Sequence, residues 1–247
     1  MKKSIFLLSS SSVHGYGFLE YNKSAIQSFF EDIGGQIVFV PFAAAREEWD
    51  SYTEKVARFF ATIGIAVRGL HTVDRERIFT DYKAIFIGGG NTFRLLHELQ
   101  LRSLLQDIRA AVLDGRVAYM GSSAGTNMAT KSICTTNDMP IVYPQQGFEA
   151  LNLFTYQINP HYLDPEPETK HKGETRDQRI AEFHQENSTP VVGLREGSYI
   201  LMGPDFGTTH KLFIGGQPGA KVFAPGKKPF EAPRETEFVL TPEGDVV

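Results

Sequence analysis

Short apolar runs alternate with segments of helical periodicity along the first half of this chain, and this alternation constrains the fold more than any other feature. The apolar runs occupy residues 4–9, 36–42, 65–70, 84–90 and 116–122. Each is nearly continuous in apolar residues, which is typical of strands covered on both faces. The segments with apolar side chains at helical spacing are 21–33, 51–63 and 92–113, the last as two helical pieces. The pattern predicts an α/β fold with a largely parallel sheet and helices on both of its sides.

The alternation stops after about residue 140. Residues 164–190 are polar and charged, and the strand-like runs SYILM, HKLFIGG and TEFVLT follow, separated by glycine and proline. The sequence has no internal repeat and no convincing linker. Because 247 residues suit one large domain, we expect residues 1–247 to form a single α/β domain. The second half would complete it with an antiparallel edge.

Composition and charge exclude several classes of function. The formal net charge is −4 at pH 7, which argues against a nucleic-acid surface. The N-terminal run IFLL is shorter than the roughly 7–15 apolar residues of a signal sequence, and no run approaches the roughly 20 that a membrane helix needs. The lone Cys134 excludes an internal disulfide and a multi-cysteine metal site. We therefore expect a cytoplasmic protein without a nucleic-acid or membrane partner.

The stretch GSSAG at residues 121–125 lies where the fifth apolar run meets a plausible helix. It fits the G-x-S-x-G spacing of a nucleophile elbow, a sharp strand-to-helix turn that needs small residues on both sides of the serine. Ser123 has glycine two positions before and after it, whereas Ser122 would have Met120 and Ala124 there. The spacing therefore selects Ser123 as the candidate nucleophile, with the Ala124 N–H directed at an oxyanion.

A second glycine-rich turn, IFIGGGNTF, ends the fourth apolar run at residues 88–90. It matches the spacing of neither a phosphate-binding loop nor a dinucleotide-binding turn. Three interpretations stay open: a tight turn, an anion site at a helix N-terminus, or backbone N–H donors of an oxyanion hole. Asn91 and Thr92 could cap the helix that follows.

A serine nucleophile needs a base and an orienting carboxylate. His161 in NPHY is a candidate base, but from the sequence it ranks no higher than His171 or His184. For the acid, Asp138 in TTNDMP gives the chain order Ser–Asp–His found in α/β-hydrolases. Glu196 in GLREGSY is its rival.

The segment HKGETRDQR concentrates basic side chains, namely His171, Lys172, Arg176 and Arg179. One interpretation is the solvated start of a helix, with ion pairs to neighbouring carboxylates. The other is a pocket that binds a substrate carboxylate, because the planar guanidinium of arginine binds carboxylates bidentately.

Ordered blocks along the chain resemble the S51 family of serine peptidases, the α-aspartyl dipeptidases. The blocks are VPFA, WDSYTEKVA, GGGNTFRLL, SSAGTNMA, TTNDMPIV, GFEALNLF, QINPHY, HKGETRDQRI and GLREGSYI. The resemblance extends to about residue 200, and the tail from about residue 205 matches poorly. It implies a three-layer αβα sandwich similar to class I glutamine amidotransferases, with a mostly parallel sheet. It also implies hydrolysis of dipeptides with an N-terminal aspartate, without a metal or cofactor.

Carried over to this sequence, the resemblance assigns a role to each residue of the expected site. Ser123 would be the nucleophile and His161 the general base. The backbone N–H groups of Gly90 and Ala124 would form the oxyanion hole, with Asn91 nearby as a substrate-binding residue. We therefore expect an acyl-enzyme on Ser123.

Three further points concern the rest of the site. Arg176 matches the family's arginine that reads the aspartate side chain of the substrate. For the third triad member both acids have been proposed in the family, and chain order favours Asp138 over Glu196. The family elbow often reads GWSAG, so Ser122 stands where relatives carry tryptophan, a change that could widen the site or admit water.

The expected function is that of a serine-type dipeptidase acting on Asp-X dipeptides, as a monomer or homodimer. An alternative within the same broad family is a cyanophycinase-like exopeptidase acting on an Asp–Arg polymer, although TTNDMP and HKGETR favour the dipeptidase. A non-enzymatic alternative is an amidotransferase-like binding module that has lost its chemistry.

Overall fold

The apolar runs of the first half form the parallel part of an eight-stranded sheet. The structure is a computed structural model that describes residues 4–31, 33–165, 173–203 and 210–246. The parallel strands are β1 (Ile5–Leu8), β2 (Ile37–Val40), β3 (Val67–Gly69), β4 (Ala84–Ile87) and β5 (Ala118–Ser122). They lie in the order β1-β5-β4-β2-β3. The strand bearing GSSAG therefore lies between β1 and β4.

Helices cover both faces of this sheet. They are α1 (Lys23–Glu31), α2 (Trp49–Ala61), α3 (Thr92–Leu101), α4 (Leu105–Leu113) and α5 (Ala124–Met128). A sixth helix, α6 (Arg176–Glu186), packs elsewhere, because its Ile180 belongs to a third buried cluster with Tyr162, Val191 and Phe223. The 92–113 segment forms two helices, as its pattern predicts. Within the ranges given above, no helix is long and apolar enough to cross a membrane.

Alternate residues of the central strands pack against different helices. Phe6, Phe39 and Phe86 belong to a buried cluster with apolar residues of α1 and α2. Ile5 and Ile85 belong to a second buried cluster with apolar residues of α3 and α4. Because strand side chains alternate between the two faces, nearly continuous apolar runs are required. The α/β sandwich expected from the sequence is confirmed.

Three strands from the second half extend the sheet beyond β1. They are β8 (Tyr199–Met202), β9 (His210–Gly215) and β12 (Thr236–Leu240). All three pair in antiparallel fashion, in the order β12-β9-β8-β1. The antiparallel edge was expected, and it makes the sheet mixed.

A separate four-stranded sheet was not predicted. It contains β6 (Gln157–Tyr162), β7 (Val191–Arg195), β10 (Ala220–Phe223) and β11 (Phe230–Ala232), in the order β11-β10-β7-β6. β6 and β7 are parallel. The sequence placed His161 in a turn after a strand at 154–158, but the structure places it inside β6, because pairing with β7 continues to Tyr162. Val192 and Leu194 of this sheet belong to the same buried cluster as Ile5 of the main sheet.

Candidate active site

The nucleophile elbow forms where β5 ends and α5 begins. Ser123 lies between them with φ 53° and ψ −108°, a conformation that a non-glycine residue adopts only when its surroundings enforce it. A Cβ atom on Gly121 would lie 2.5 Å from the carbonyl oxygen of Gly125, and one on Gly125 would overlap the carbonyl oxygen of Ile87. Both glycines of GSSAG are therefore required by close backbone contacts.

Ser122 is a poor candidate for the nucleophile. It is fully buried, and its hydroxyl has no hydrogen-bond partner among the residues that the structure describes. Glycine spacing favoured Ser123 over Ser122, and the burial of Ser122 agrees with that choice. The expectation that Ser122, in place of the tryptophan of relatives, widens or wets the site stays a prediction.

His161 lies against the elbow serine. Its Nε2 is 2.7 Å from Ser123 Oγ, and its Nδ1 is 2.8 Å from Glu196 Oε1. The His161 and Glu196 side chains are 37% and 51% exposed, so their pairing adds little to the free energy of unfolding. What the pair can do is fix the tautomer and the orientation of the imidazole toward the serine hydroxyl.

Asp138 is not the carboxylate that bonds His161, and the preference for it from chain order needs correction. Its Oδ2 accepts hydrogen bonds from the Thr92 N–H at 2.8 Å and the Thr92 hydroxyl at 2.6 Å. The carboxylate thus satisfies donors at the start of α3, where the first N–H groups have no partner within the helix. Glu196 takes the position next to the imidazole instead.

The residue before Glu196 fixes the end of β7. Arg195 bonds both carboxylate oxygens of Asp164 at 2.7 Å and contacts Glu231 at 3.0 Å. Its side chain is 11% exposed, and the bonds to Asp164, with help from Glu231, raise its pKa above the ordinary value. Sequence reasoning missed this network, because each of its members looks like an ordinary surface charge.

The other histidines do not compete with His161. His184 Nε2 lies 3.1 Å from the carbonyl oxygen of Thr189, and burial lowers its pKa. His171 lies outside the described residues. The structure therefore brings one histidine, His161, to Ser123 among those it describes.

The glycine-rich turn after β4 touches the elbow. A Cβ atom on Gly89 would lie 3.2 Å from the Cβ of Ser123, and one on Gly90, whose φ is +136°, would lie 2.6 Å from the Ala43 carbonyl oxygen. The Asn91 N–H donates to that same oxygen at 2.9 Å, so it is not available to an oxyanion. The Ala124 N–H stands at the first position of α5, where the helix offers no acceptor.

Asn91 caps α3, as its position after the glycines indicated. Its Oδ1 accepts from the Arg94 N–H at 3.0 Å, and its Nδ2 donates to the Met139 carbonyl oxygen at 2.9 Å. Both bonds tie the glycine turn to neighbouring segments. The side chain of Asn91 therefore stabilises the turn beside the elbow.

Arg176 begins α6, and its charge has no partner among the described residues. Within the described part of the chain its guanidinium forms no ion pair or hydrogen bond, and burial, with a smaller effect from Arg179, lowers its pKa. Arg179 instead forms an exposed pair with Glu174 at 3.7 Å. His171 and Lys172 of the same basic segment lie outside the described residues. Arg176 alone among the described members fits the carboxylate-binding interpretation.

The start of α6 is held by contacts that the sequence did not indicate. A capping box joins Thr175 and Gln178. The neighbouring Asp177 accepts a short hydrogen bond from the Tyr162 hydroxyl and a bond from Lys221 Nζ at 2.9 Å. Burial and the bond to Asp177 raise the pKa of Tyr162, so the phenol stays protonated and donates. Tyr162 directly follows His161, so one strand supports both His161 and the start of α6.

No group of three or more His, Cys, Asp or Glu side chains that could hold a metal ion occurs within residues 4–31, 33–165, 173–203 and 210–246. The site brings together a hydroxyl, an imidazole and a carboxylate, joined in this order by hydrogen bonds. Such an arrangement supports attack of the hydroxyl on an acyl group.

Comparison with known proteins agrees with this chemistry. The family model for peptidase family S51 matches residues 5–206. A probable alpha-aspartyl dipeptidase of Drosophila melanogaster is 46% identical over 223 residues, which cover 90% of each chain. Peptidase E of Streptomyces coelicolor is 45% identical over 229 residues, 92% of this chain and 90% of the relative. The crystal structure of a peptidase from an acI-B1 Actinobacterium has the same fold, with a TM-score of 0.61 and 14% identity over 96% of this chain and 97% of that one.

Replacing Gly125 by alanine should damage the elbow. The new Cβ would overlap the Ile87 carbonyl oxygen, and overpacking of this kind costs about 1–3 kcal/mol of stability. We expect a lower urea midpoint and much slower labelling of Ser123 by a serine-directed phosphonate. Gly64→Ala is the control: Gly64 has φ +76° and open space around its Cβ position, so that variant should lose some stability but label normally. Wild-type labelling in Gly125→Ala would contradict the steric argument.

Proposed function

Since the chain belongs to peptidase family S51, we propose that it hydrolyses dipeptides with an N-terminal aspartate through an acyl-enzyme on Ser123. The observation that carries the proposal is the line from Ser123 Oγ to His161 Nε2, 2.7 Å, and from His161 Nδ1 to Glu196 Oε1, 2.8 Å. The names of the relatives, alpha-aspartyl dipeptidase and peptidase E, support the substrate.

In the first half of the reaction, Ser123 Oγ attacks the peptide carbonyl carbon while His161 Nε2 takes the hydroxyl proton. Glu196 accepts the hydrogen bond from Nδ1–H and stabilises the imidazolium that forms. The negative charge that develops on the carbonyl oxygen is received by the backbone N–H groups of Gly90 and Ala124. Such preorganised donors lower the barrier because they need no reorganisation at the moment of reaction.

In the second half, the peptide C–N bond breaks and the leaving amino acid takes the proton from His161. Water then attacks the ester on Ser123, with His161 again accepting a proton. The ester C–O bond breaks, the proton returns to Ser123 Oγ, and aspartate leaves. The same imidazole therefore acts as base and acid in turn.

Arg176 binds the side-chain carboxylate of the substrate and so selects aspartate. Its guanidinium carries no partner charge among the described residues and is partly buried, so a substrate carboxylate would be its first counter-ion. A charge-assisted, bidentate pair of this kind is stronger than a neutral hydrogen bond. Tyr162 and Lys221 hold Asp177, the residue next to Arg176, in place.

We also propose that residues 1–247 form one peptidase domain. This is supported by the buried cluster that includes residues of both sheets, among them Ile5, Val192 and Leu240. The cytoplasmic location and the choice between monomer and homodimer stay predictions.

The nucleophile is tested with a dipeptide panel: Asp-Leu, Glu-Leu, Asn-Leu, β-Asp-Leu and N-blocked Asp-Leu. The wild-type protein should hydrolyse Asp-Leu best, and Ser123→Ala should lose about 1000-fold or more, because removal of a triad member leaves only residual catalysis. Hydrolysis by Ser123→Ala near the wild-type rate would contradict the mechanism. Equal turnover of Asn-Leu and Asp-Leu by the wild type would contradict carboxylate recognition.

Arg176→Ala tests specificity, with Arg179→Ala as its matched control on the same helix. We expect kcat/KM for Asp-Leu to fall about 100-fold in Arg176→Ala, since loss of one partner of a hydrogen-bonded charge pair costs several kcal/mol. Arg179 is ion-paired with Glu174 and exposed, so Arg179→Ala should stay near the wild type. The role assigned to Arg176 fails if both variants keep the same kcat/KM.

Replacing Glu196 should lower activity, whereas replacing Asp138 should lower stability. Glu196→Gln should lower kcat about 100-fold or more, because the imidazole loses the carboxylate that orients it, and should leave the urea midpoint almost unchanged. Asp138→Ala should lower stability by about 1 kcal/mol, as loss of a helix cap does, with most of the activity retained. The reverse pattern would return the acid role to Asp138.

A further inference from the structure

Ser9 joins the main sheet to the residues proposed as base and acid. It directly follows β1 and is fully buried. Its hydroxyl donates to the Leu194 carbonyl oxygen at 2.8 Å and accepts the N–H of His161 at 2.9 Å. Leu194 lies two residues before Glu196. The side chain that follows β1 thus contacts both β6, which carries His161, and β7, which precedes Glu196.

The ladder between β6 and β7 is irregular at the histidine. Pro160 pairs with Leu194 and Tyr162 pairs with Arg195, so His161 is an extra residue between two paired positions. Its φ of 53° is left-handed. A bulge of this kind leaves the extra residue outside the ladder and redirects its side chain.

The Ser9 hydroxyl occupies the gap that the bulge creates. His161 has no paired residue in the described β6–β7 ladder, and Ser9 Oγ accepts its N–H. The same hydroxyl donates a hydrogen bond to the Leu194 carbonyl oxygen. Because buried N–H and C=O groups need partners, this single hydroxyl stabilises the bulge in which His161 lies outside the ladder.

The end of β1 also holds the elbow. The Leu8 carbonyl oxygen accepts the Ser123 N–H at 3.1 Å and the Thr126 hydroxyl at 2.6 Å. The Ser9 N–H donates to the carbonyl oxygen of Ser198, two residues after Glu196, at 3.0 Å. Two consecutive residues at the end of β1, Leu8 and Ser9, therefore fix Ser123 and His161 relative to each other.

We propose that Ser9 is a positioning residue for the reaction: its hydroxyl holds His161 outside the ladder and so orients the imidazole toward Ser123. The proposal rests on the function proposed above, because it assumes that His161 is the base. Without the hydroxyl, the His161 N–H and the Leu194 carbonyl lose their shared partner. Closing the bulge would pair the strands again, but a shift of one residue turns a side chain to the opposite face.

Ser9→Ala removes the hydroxyl, and Ser10→Ala is the matched control. Ser10 is the next residue, is 5% exposed, and its hydroxyl has no partner in the described segments. We expect kcat for Asp-Leu to fall about 100-fold in Ser9→Ala, the effect of a small misplacement of a catalytic group. KM should change less than about threefold, because only the reacting geometry is affected. Ser10→Ala should keep both constants near the wild type.

Several outcomes would overturn the proposal. A kcat for Ser9→Ala equal to that of Ser10→Ala would do so, as would an equal loss in both variants, which would indicate general packing. A rise in KM without a fall in kcat would also overturn it. If Ser9→Ala does not fold, Ser9→Cys keeps the side-chain shape with a weak S–H donor; the same fall in kcat is expected, and an unchanged kcat would overturn the proposal.

The rate at which a small fluorophosphonate labels Ser123 separates this proposal from the proposed substrate. The reagent carries no aspartate, so its rate reports the nucleophile and base alone. A wild type that is labelled at Ser123 but cleaves no Asp-X dipeptide would contradict the substrate assignment. In that case slower labelling of Ser9→Ala than of Ser10→Ala would still support the role of Ser9, and equal labelling would overturn it.

Discussion

The site depends on how closely the backbone packs at the elbow. Gly125 lies so near the Ile87 carbonyl that a Cβ atom would overlap it, and a Cβ atom on Gly121 would lie 2.5 Å from the Gly125 carbonyl oxygen. These contacts bring α5 down onto β4 and β5 and leave Ser123 in its left-handed conformation. The Ser123 hydroxyl therefore lies at the end of the strand rather than within its packed length, and the glycine turn after β4 can reach it.

The partners of Ser123 come from the other sheet. His161 belongs to β6 and Glu196 follows β7, so catalytic geometry depends on how the two sheets are joined rather than on the elbow alone. The buried cluster shared by both sheets gives a rigid contact. The hydrogen bonds of Leu8 and Ser9 add direction, because they connect the end of β1 to the elbow, the bulge and the turn after Glu196.

Local features of the sequence predicted local structure well. The apolar run at 116–122 contains the strand Ala118–Ser122, and glycine spacing selected Ser123 as the candidate nucleophile. Both inferences depend only on near neighbours in the chain. The acid could not be chosen in this way, because Asp138 and Glu196 are both carboxylates in turns. Asp138 bonds Thr92, 46 residues away in sequence, and the small sheet likewise depends on distant pairings without a local pattern.

In the proposed mechanism, one strand supports both the base and the arginine that binds the substrate carboxylate. His161 in β6 faces the nucleophile, while the next residue, Tyr162, bonds Asp177 at the start of α6. Lys221 balances the charge of Asp177, so the neighbouring Arg176 keeps its own charge available for a ligand. Two consecutive residues of β6 thus connect Ser123 to the start of α6. The groups proposed for bond cleavage and for carboxylate binding therefore depend on the same strand.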